Sequence, residues 1–282
     1  MKRLNRLLRV SAAILCAVLL STGITAYADS EDASASALQT ASGPITIYHT
    51  NDMHGALAPV EKASMGIGKV AALKKGTPNS LLVDAGDATQ GYPLASLTKG
   101  ADIIKLMNMA GYDAMAAGSH EFDYGMKTLM ENADNASFPI LAANVEKDGR
   151  LLFAGHNREN SGCHKLFQVD GVNIGFFGLT TCETISATNP EGIIGIDFKD
   201  EIETAKREIQ ELESEGADVI IAVSHLGEYD SAPCTSWSLA RAMTGTYKGR
   251  LDAIIDGHSH TNENVVINEV LIAQTGSALT KI

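Results

Sequence analysis

The stretch that decides the fold is residues 45–55, which read ITIYHTNDMHG. Its first part, 45–48, is β-branched and aromatic, which is typical of a buried strand. Its second part is polar and carries Asp52 and His54 before Gly55. Alternate side chains of an extended segment point to the same side, so both groups can reach one site. The stretch therefore predicts a strand that delivers a carboxylate and an imidazole where it ends.

Four further apolar runs end in the same way, in a loop that contains glycine together with Asp or His. They are 81–83 before DAGD, 114–117 before GSHE, 219–223 before SHLG and 251–255 before DGHSH. Amphipathic stretches at helical spacing lie between the runs, and 103–110 and 202–212 are the clearest. Strands that alternate with helices predict an α/β fold with a mostly parallel sheet.

The five polar loops are predicted to form one site. Parallel strands of an α/β sheet end at a common edge, and the loops after them line the ligand crevice. The side chains that would meet there are Asp52, His54, Asp87, His120, His225, His258 and His260. Imidazoles and carboxylates without cysteine suit divalent Mn, Fe, Co or Zn. The set is large enough for two ions that share one carboxylate.

Other polar residues have simpler interpretations. The isolated His49, His156 and His164 are expected to be hydrogen-bonded structural residues. Asp84 and Asp256 are expected to cap loops. Glu121 is expected to support its loop rather than bind metal. These residues are therefore left out of the predicted site.

Two other kinds of chemistry find no support. Ser119 as a nucleophile with His120 as its general base is a poor arrangement, because adjacent residues rarely place the two groups in hydrogen-bonding geometry. The GxSxG turn that carries many serine nucleophiles is also missing from the sequence. Walker and GxGxxG loops are also missing from the sequence.

Charge limits the class of partner. The 282-residue chain has 34 acidic and 22 basic residues, a net charge of −12. This balance disfavours binding to nucleic acid backbone or to an anionic membrane surface. An anionic substrate would need bound cations to supply positive charge.

The first residues are typical of an export signal. Residues 1–28 begin with four basic side chains, continue through an apolar core and end in an AxA sequence, so they are predicted to be a signal peptide. Residues 29–43 are small and polar and are predicted to be a disordered linker. The domain would be 44–282, secreted to the cell wall, the periplasm or the medium, with no membrane association beyond the signal peptide.

Three cysteines lie after the signal peptide: Cys163, Cys182 and Cys234. An odd number allows at most one internal disulfide, and pairing of Cys163 with Cys182 is left open. Because no CxxC spacing occurs, a cysteine-based zinc site is not expected.

The motifs TNDMHG, AGDATQG, GSHEFDYG, SHLG and DGHSH, in this order, resemble the bacterial 5′-nucleotidase and 2′,3′-cyclic-nucleotide phosphodiesterase family of secreted calcineurin-like metallophosphoesterases. The resemblance covers about 44–282. It implies a four-layer α/β/β/α sandwich and hydrolysis of nucleotide esters by a hydroxide held between two divalent ions. The family has a C-terminal nucleotidase domain, which is not expected in this chain.

The resemblance also implies roles for the site residues. Asp52, His54 and His260 would hold one ion, Asp87 would bridge, and His225 with His258 would hold the second. His120 and Asp123 match the catalytic pair of the family.

Ser119 stands where the family has an asparagine ligand. Its single oxygen reaches less far, so the second ion is expected to bind more weakly, with lower but not absent activity. The alternative is a catalytically weak or silent metal-binding surface domain.

Overall fold

The computed structural model describes residues 43–156, 161–229 and 232–282. The predicted signal peptide, 1–28, lies outside the described residues, as does the predicted linker 29–43 apart from Gly43. Within the described ranges, no helix has the length and apolar character needed to cross a membrane.

The first half of the chain forms a four-stranded parallel sheet covered by helices. Its strands are β1 (Thr46–Thr50), β2 (Ser80–Asp84), β3 (Ala114–Ala116) and β4 (Ile140–Leu141), in the order β1-β2-β3-β4. The helices of this half are α1 (Ile67–Gly76), α2 (Pro93–Thr98), α3 (Ala101–Ala110) and α4 (Met126–Asn135). A 3-10 helix, His120–Phe122, follows β3.

The second half forms a six-stranded sheet with its own helices. The strands are β7 (His164–Val169), β8 (Val172–Thr180), β10 (Val219–His225), β11 (Ala253–Ile255), β12 (Asn262–Ile267) and β13 (Val270–Thr275). They lie in the order β12-β13-β11-β10-β8-β7, with the four central strands parallel and both edge strands antiparallel. The helices are α5 (Thr184–Ala187), α6 (Glu201–Ser214) and α7 (Ser236–Ala242).

A small antiparallel sheet and two short helical turns complete the described fold. Its strands are β5 (Val145–Lys147), β6 (Arg150–Leu151) and β9 (Ile196–Phe198), in the order β6-β5-β9. The 3-10 turns are Pro190–Ile193 and Gly245–Tyr247.

Alternating side chains show how the layers stack. On β2, Leu81 and Val83 join a buried cluster with Phe176 of β8, whereas Leu82 joins a second cluster with residues of α1, α3 and α4. On β8, the neighbouring Phe177 joins a third cluster with residues of α6 and α7. Since successive strand residues face opposite sides, the two large sheets pack face to face with helices outside. The predicted four-layer α/β/β/α sandwich is confirmed.

The helix predicted from 202–212 is confirmed as α6. Asp200 begins it by accepting a hydrogen bond from the backbone amide of Glu203 at 2.8 Å, which satisfies one of the free amides of the first turn. Ala205, Ile209 and Leu212 are buried, as the helical spacing predicted.

The sequence patterns alone suggested one sheet, which is wrong. The structure has two large sheets, because an apolar run shows that a strand is buried but not which strands it pairs with. Strand β7 was also missed, since its side chains are mostly half-buried and it is an edge strand.

Candidate functional site

The structure brings the predicted ligands together as two groups. The side chains of Asp52, His54 and His260 each offer one ligand atom, and these atoms lie within 4.8 Å of one another. Asp87, His225 and His258 form a second group with the same property. All six residues lie at the carboxyl ends of parallel strands, where the sheet topology predicted them.

The first group contains an imidazole pair and a buried carboxylate. His260 Nε2 lies 3.3 Å from Asp52 Oδ1 and 3.2 Å from His54 Nε2. Three atoms with available lone pairs at these separations can bind one divalent ion. Asp52, His54 and His260 all have positive φ angles, a conformation that is uncommon for residues other than glycine and that often marks functional sites.

The second group has a buried nitrogen that suits a cation. His225 is fully buried, and its Nδ1 lies 2.7 Å from the carbonyl oxygen of Ala85, so Nδ1 carries the proton of the neutral ring. The remaining nitrogen, Nε2, lies 3.0 Å from Asp87 Oδ2 but makes no hydrogen bond. A lone pair that faces a carboxylate in a buried site is unfavourable unless a cation neutralises it. The donor set therefore fits a metal ion.

The same electrostatic field acts on protons. Where no metal ion neutralises the pair, burial lowers the pKa of His225, but the opposing charge of Asp87 outweighs this and raises the pKa to about 10, so a proton then takes the position on Nε2 that a metal ion would occupy. The Asp87 carboxylate is thus strongly attractive to positive charge.

Asp87 connects the second group to the loop after β3. Its Oδ1 accepts a hydrogen bond from the His120 amide at 2.8 Å. Its Oδ2 lies 3.5 Å from Ser119 Oγ as well as 3.0 Å from His225. Asp52 connects the two groups in turn, since its carboxylate accepts a hydrogen bond from the His258 amide at 3.0 Å.

Ser119 is buried, and its hydroxyl faces the second group. A distance of 3.5 Å to Asp87 is at the outer limit of a hydrogen bond. The serine thus lies beside the second group but holds Asp87 only weakly.

His120 and Asp123 form a hydrogen-bonded pair beside the first group. His120 Nδ1 lies 2.7 Å from Asp123 Oδ2, and the centres of the His120 and His54 rings are 5.5 Å apart. Burial lowers the pKa of His120, but the charges of Asp87 and Asp123 raise it above its ordinary value. The ring is therefore held in one orientation and in a field that favours its protonated form.

Further hydrogen bonds orient the other imidazoles, and one of them was missed in the sequence. His54 Nδ1 lies 3.0 Å from the carbonyl oxygen of Gln90. His258 Nε2 lies 3.1 Å from Glu183 Oε2. Such outer contacts fix the tautomer of metal-binding histidines. Glu183 follows β8 at the same edge, but the loop around it, TCET at 181–184, lacks the glycine with Asp or His that marked the other five.

Glu121 supports the loops, as expected. It is buried, and its two oxygens accept hydrogen bonds from the amides of Asp87, Ala88, Thr89 and Gly118 at 2.7–3.1 Å. With both oxygens engaged, it ties the loop after β2 to the loop after β3.

Asn51 was also missed. Its amide nitrogen donates to Asp52 Oδ2 at 2.7 Å, and its oxygen accepts from the Thr275 amide at 2.9 Å. It therefore holds the carboxylate of the first group against the end of β13.

Asp84 and Asp256 do cap loops. Asp84 Oδ1 accepts from the Gly86 amide at 3.0 Å, and Asp256 Oδ1 accepts from the Leu226 amide at 2.9 Å.

The remaining histidines and the cysteines lie elsewhere. His156 Nδ1 lies 2.8 Å from Asp134, as expected of a hydrogen-bonded residue. The same expectation fails at Nδ1 of His49, which is buried without a hydrogen-bond partner, and His49 belongs to neither ligand group. His164 lies beside Cys163 and Glu208. Cys163, Cys182 and Cys234 are all free thiols.

Comparison with known proteins identifies the family. The calcineurin-like phosphoesterase model matches residues 45–262, the segment that holds both ligand groups. The chain belongs to the calcineurin-like phosphoesterase family. The resemblance noted in the sequence is confirmed, and the family uses divalent metals. The roles of individual site residues remain predictions.

The chain is similar to several 5′-nucleotidases. It is 36% identical to the 5′-nucleotidase of Vibrio vulnificus over 232 residues, which cover 76% of this chain and 40% of that protein. The chain thus spans about 40% of the length of the curated relatives it matches.

Solved structures share the fold. The 5′-nucleotidase precursor of Thermus thermophilus aligns with a TM-score of 0.68 and 29% identity, over 82% of this chain and 48% of that one. The calcineurin-like phosphoesterase YfkN of Bacillus subtilis aligns with a TM-score of 0.66 and 26% identity, over 82% of this chain and 81% of that one.

Proposed function

We propose that this chain is a metal-dependent hydrolase of phosphate esters. Nucleotides are the proposed substrate class, either as 5′-monophosphates or as 2′,3′-cyclic diesters, because the similar proteins include 5′-nucleotidases. The observation that carries the proposal is the linkage of the two ligand groups by two hydrogen bonds, from the His258 amide to the Asp52 carboxylate and from the His54 amide to the Asp87 carbonyl. The His120–Asp123 pair lies beside them.

The residues divide between two ions. Asp52, His54 and His260 would hold one ion. Asp87, His225 and His258 would hold the second, with Ser119 beside it and Asp87 shared. When bound, the ions would activate a water molecule for attack on phosphorus and draw charge from the phosphoryl oxygens. Mn, Zn, Fe and Co all suit this donor set.

His120 is the proposed acid. Asp123 accepts a hydrogen bond from Nδ1, which leaves Nε2 to donate to a phosphoryl oxygen or to the leaving oxygen of the ester. The raised pKa of His120 keeps this proton available near neutral pH.

Bound cations would also offset the negative charge of the protein, which otherwise repels an anionic substrate. The chain carries a net charge of −12, and each ligand group contains a buried aspartate. Two divalent ions would make the site attractive to a phosphate ester, while the remaining surface stays repulsive to nucleic acid.

A substrate panel tests the proposal. Chelator-treated protein is assayed with p-nitrophenyl phosphate, bis-p-nitrophenyl phosphate, AMP and 2′,3′-cyclic AMP, with and without added Mn²⁺ or Zn²⁺. We expect metal-dependent turnover of at least one ester, lost in His225→Ala and retained in the control His156→Ala, whose imidazole contacts Asp134 away from the ligand groups.

The weak or silent domain is the outcome that would overturn the proposal. In that case the chain binds metal, as elemental analysis would show, but no ester is hydrolysed with any added metal. Ser119 motivates this alternative, because only its hydroxyl faces the second group where an asparagine ligand was expected.

The location of the protein is part of the proposal. We infer export from the signal-peptide pattern of residues 1–28, with 29–43 as a linker and 44–282 as the phosphoesterase domain. N-terminal sequencing of protein from a culture medium or cell envelope fraction would show a start near residue 29. A start at residue 1 would contradict export by cleavage.

A further inference from the structure

A third group of ligand atoms lies outside the phosphoesterase site. Cys163, His164 and Glu208 each offer one atom, and the three atoms lie within 4.8 Å of one another. None of them belongs to the two groups described above. Cys163 directly precedes β7, His164 is the first residue of β7, and Glu208 lies on α6, so the group joins the edge strand of the second sheet to its covering helix.

The three side chains are withdrawn from solvent. His164 Nδ1 lies 2.6 Å from Glu208 Oε2, with the two side chains 10% and 1% exposed. Cys163 is 6% exposed, and its Sγ lies 3.4 Å from Ser161 Oγ. The buried thiol, imidazole and carboxylate thus offer a metal ion three kinds of ligand atom: a sulfur, a nitrogen and an oxygen.

The surroundings are rich in negative charge. Glu215 Oε1 lies 3.3 Å from His164 Nε2, and Glu211 Oε2 lies 3.9 Å from His164 Nδ1. One guanidinium opposes them, since Arg207 Nη2 donates to Glu208 Oε1 at 3.0 Å. Three carboxylates outnumber the one imidazole and one guanidinium, so the cluster has an excess of negative charge that attracts a further cation.

We infer that Cys163, His164 and Glu208 form a separate structural site for one zinc-like divalent cation, with Glu211 available as a fourth ligand. A sulfur ligand selects Zn²⁺ or Co²⁺ over Mg²⁺ and Ca²⁺, which prefer oxygen. Four ligands of the types S, N and O match the tetrahedral coordination of structural zinc. The ion would link β7 to α6 and so stabilise their packing. It would take no part in ester hydrolysis, so the inference goes beyond the proposed function.

The sequence argued against a cysteine-based zinc site because no CxxC spacing occurs. That argument applies to sites whose ligands are close in sequence. Here Glu208 is 44 residues from His164, and only the packing of α6 against β7 brings it to the neighbouring Cys163 and His164.

Cobalt provides a selective test, because the phosphoesterase site contains no cysteine. Metal-free full-length protein is titrated with Co²⁺ under reducing conditions, and the near-ultraviolet sulfur-to-cobalt charge-transfer band is recorded. We expect a band in the unmodified protein, its loss in Cys163→Ser, and its retention in Cys182→Ser and Cys234→Ser. A missing band in the unmodified protein, or a band that disappears with Cys182→Ser or Cys234→Ser instead, would overturn the site.

A second measurement covers the case in which Cys163→Ser does not fold. Glu208→Gln keeps the shape of the side chain but removes its charge, and circular dichroism reports whether it folds. We expect Zn²⁺ to raise the melting temperature of His225→Ala, whose second phosphoesterase group is damaged, and to raise it less when Glu208→Gln is added. Equal shifts in the two proteins would contradict the inference, whether or not the chain hydrolyses esters.

Discussion

His120 Nδ1 lies 2.7 Å from Asp123 Oδ2, and the other oxygen of Asp123 accepts a hydrogen bond from Thr188 Oγ1 at 2.6 Å. Thr188 follows α5, whereas His120 and Asp123 follow β3, so the chain of contacts links loops from the two large sheets. Because Asp123 is held from both sides, it can fix the orientation and the tautomer of the imidazole.

Replacement of this pair should reduce turnover without loss of metal. We expect His120→Ala to lower kcat by about 10²–10⁴-fold, the usual contribution of a positioned general acid. Asp123→Asn should have a smaller effect in the same direction. Steady-state kinetics and metal analysis measure both. Asp134→Asn is the matched control, since Asp134 holds His156 by the same kind of contact at 2.8 Å. An equal loss of activity in the control would contradict the assignment.

Glu183 should act through His258. Its carboxylate lies 3.1 Å from His258 Nε2, and loss of such a contact typically weakens metal binding by about 10–100-fold. We expect Glu183→Gln to bind the second ion more weakly in competition with a chromophoric chelator. Glu191→Gln, an exposed residue of the Pro190–Ile193 turn, serves as the control. Unchanged affinity in Glu183→Gln would show that the contact does not matter for metal binding.

Ser119 should limit the second ion. In Ser119→Asn, an amide oxygen would extend toward the second group, where only a hydroxyl 3.5 Å from Asp87 now lies. We expect about tenfold tighter binding of one ion, equivalent to about 1.4 kcal/mol, and higher activity at low metal concentration. Two tightly bound ions in the unmodified protein, with no gain in the variant, would contradict this prediction.

The core between the sheets should dominate stability. Phe176 is fully buried between the two large sheets. We expect Phe176→Ala to lower the free energy of unfolding by about 3–5 kcal/mol, the usual cost of an aromatic-to-alanine change in a core. Leu97→Ala removes a side chain that is 83% exposed and should change stability by less than about 0.5 kcal/mol. Urea denaturation measures both variants.

His49 should make the fold sensitive to acid. Burial lowers its pKa from 6.5 to about 4, and its Nδ1 has no hydrogen-bond partner. The unfolded chain therefore binds a proton at a higher pH than the folded chain, so stability is present above pH 6.5 and is lost as pH falls toward 4.

Comparison of His49→Gln with the unmodified protein isolates this contribution. We expect the unmodified protein to lose on the order of 2 kcal/mol more than the variant between about pH 7.5 and about pH 4.5. Urea unfolding at both pH values measures it. Parallel losses in the two proteins would mean that other groups cause the acid sensitivity.

The loops that hold ligands could be found in the sequence because their signals are local. An apolar run followed by Asp52, His54 and a glycine is visible within a few residues, and the parallel-sheet rule brings the loops of one sheet to a common edge. That the loops of the two sheets meet was decided by the packing of the sheets against each other. Glu121 could be interpreted correctly for the same reason, since it lies in one of these loops. Glu183 could not be identified from the sequence because its role depends on contact with His258, which is 75 residues away.

The sequence by itself determined the α/β class, the family and the side chains at the five strand ends, because these depend on periodicity and on short motifs. Only the tertiary structure decided that the strands divide between two sheets and that Asp87 faces a buried nitrogen of His225. It also decided that Cys163, His164 and Glu208 meet. Contacts of this kind depend on which strands become neighbours and on how helices cover them, and a linear pattern of apolar residues does not encode that order.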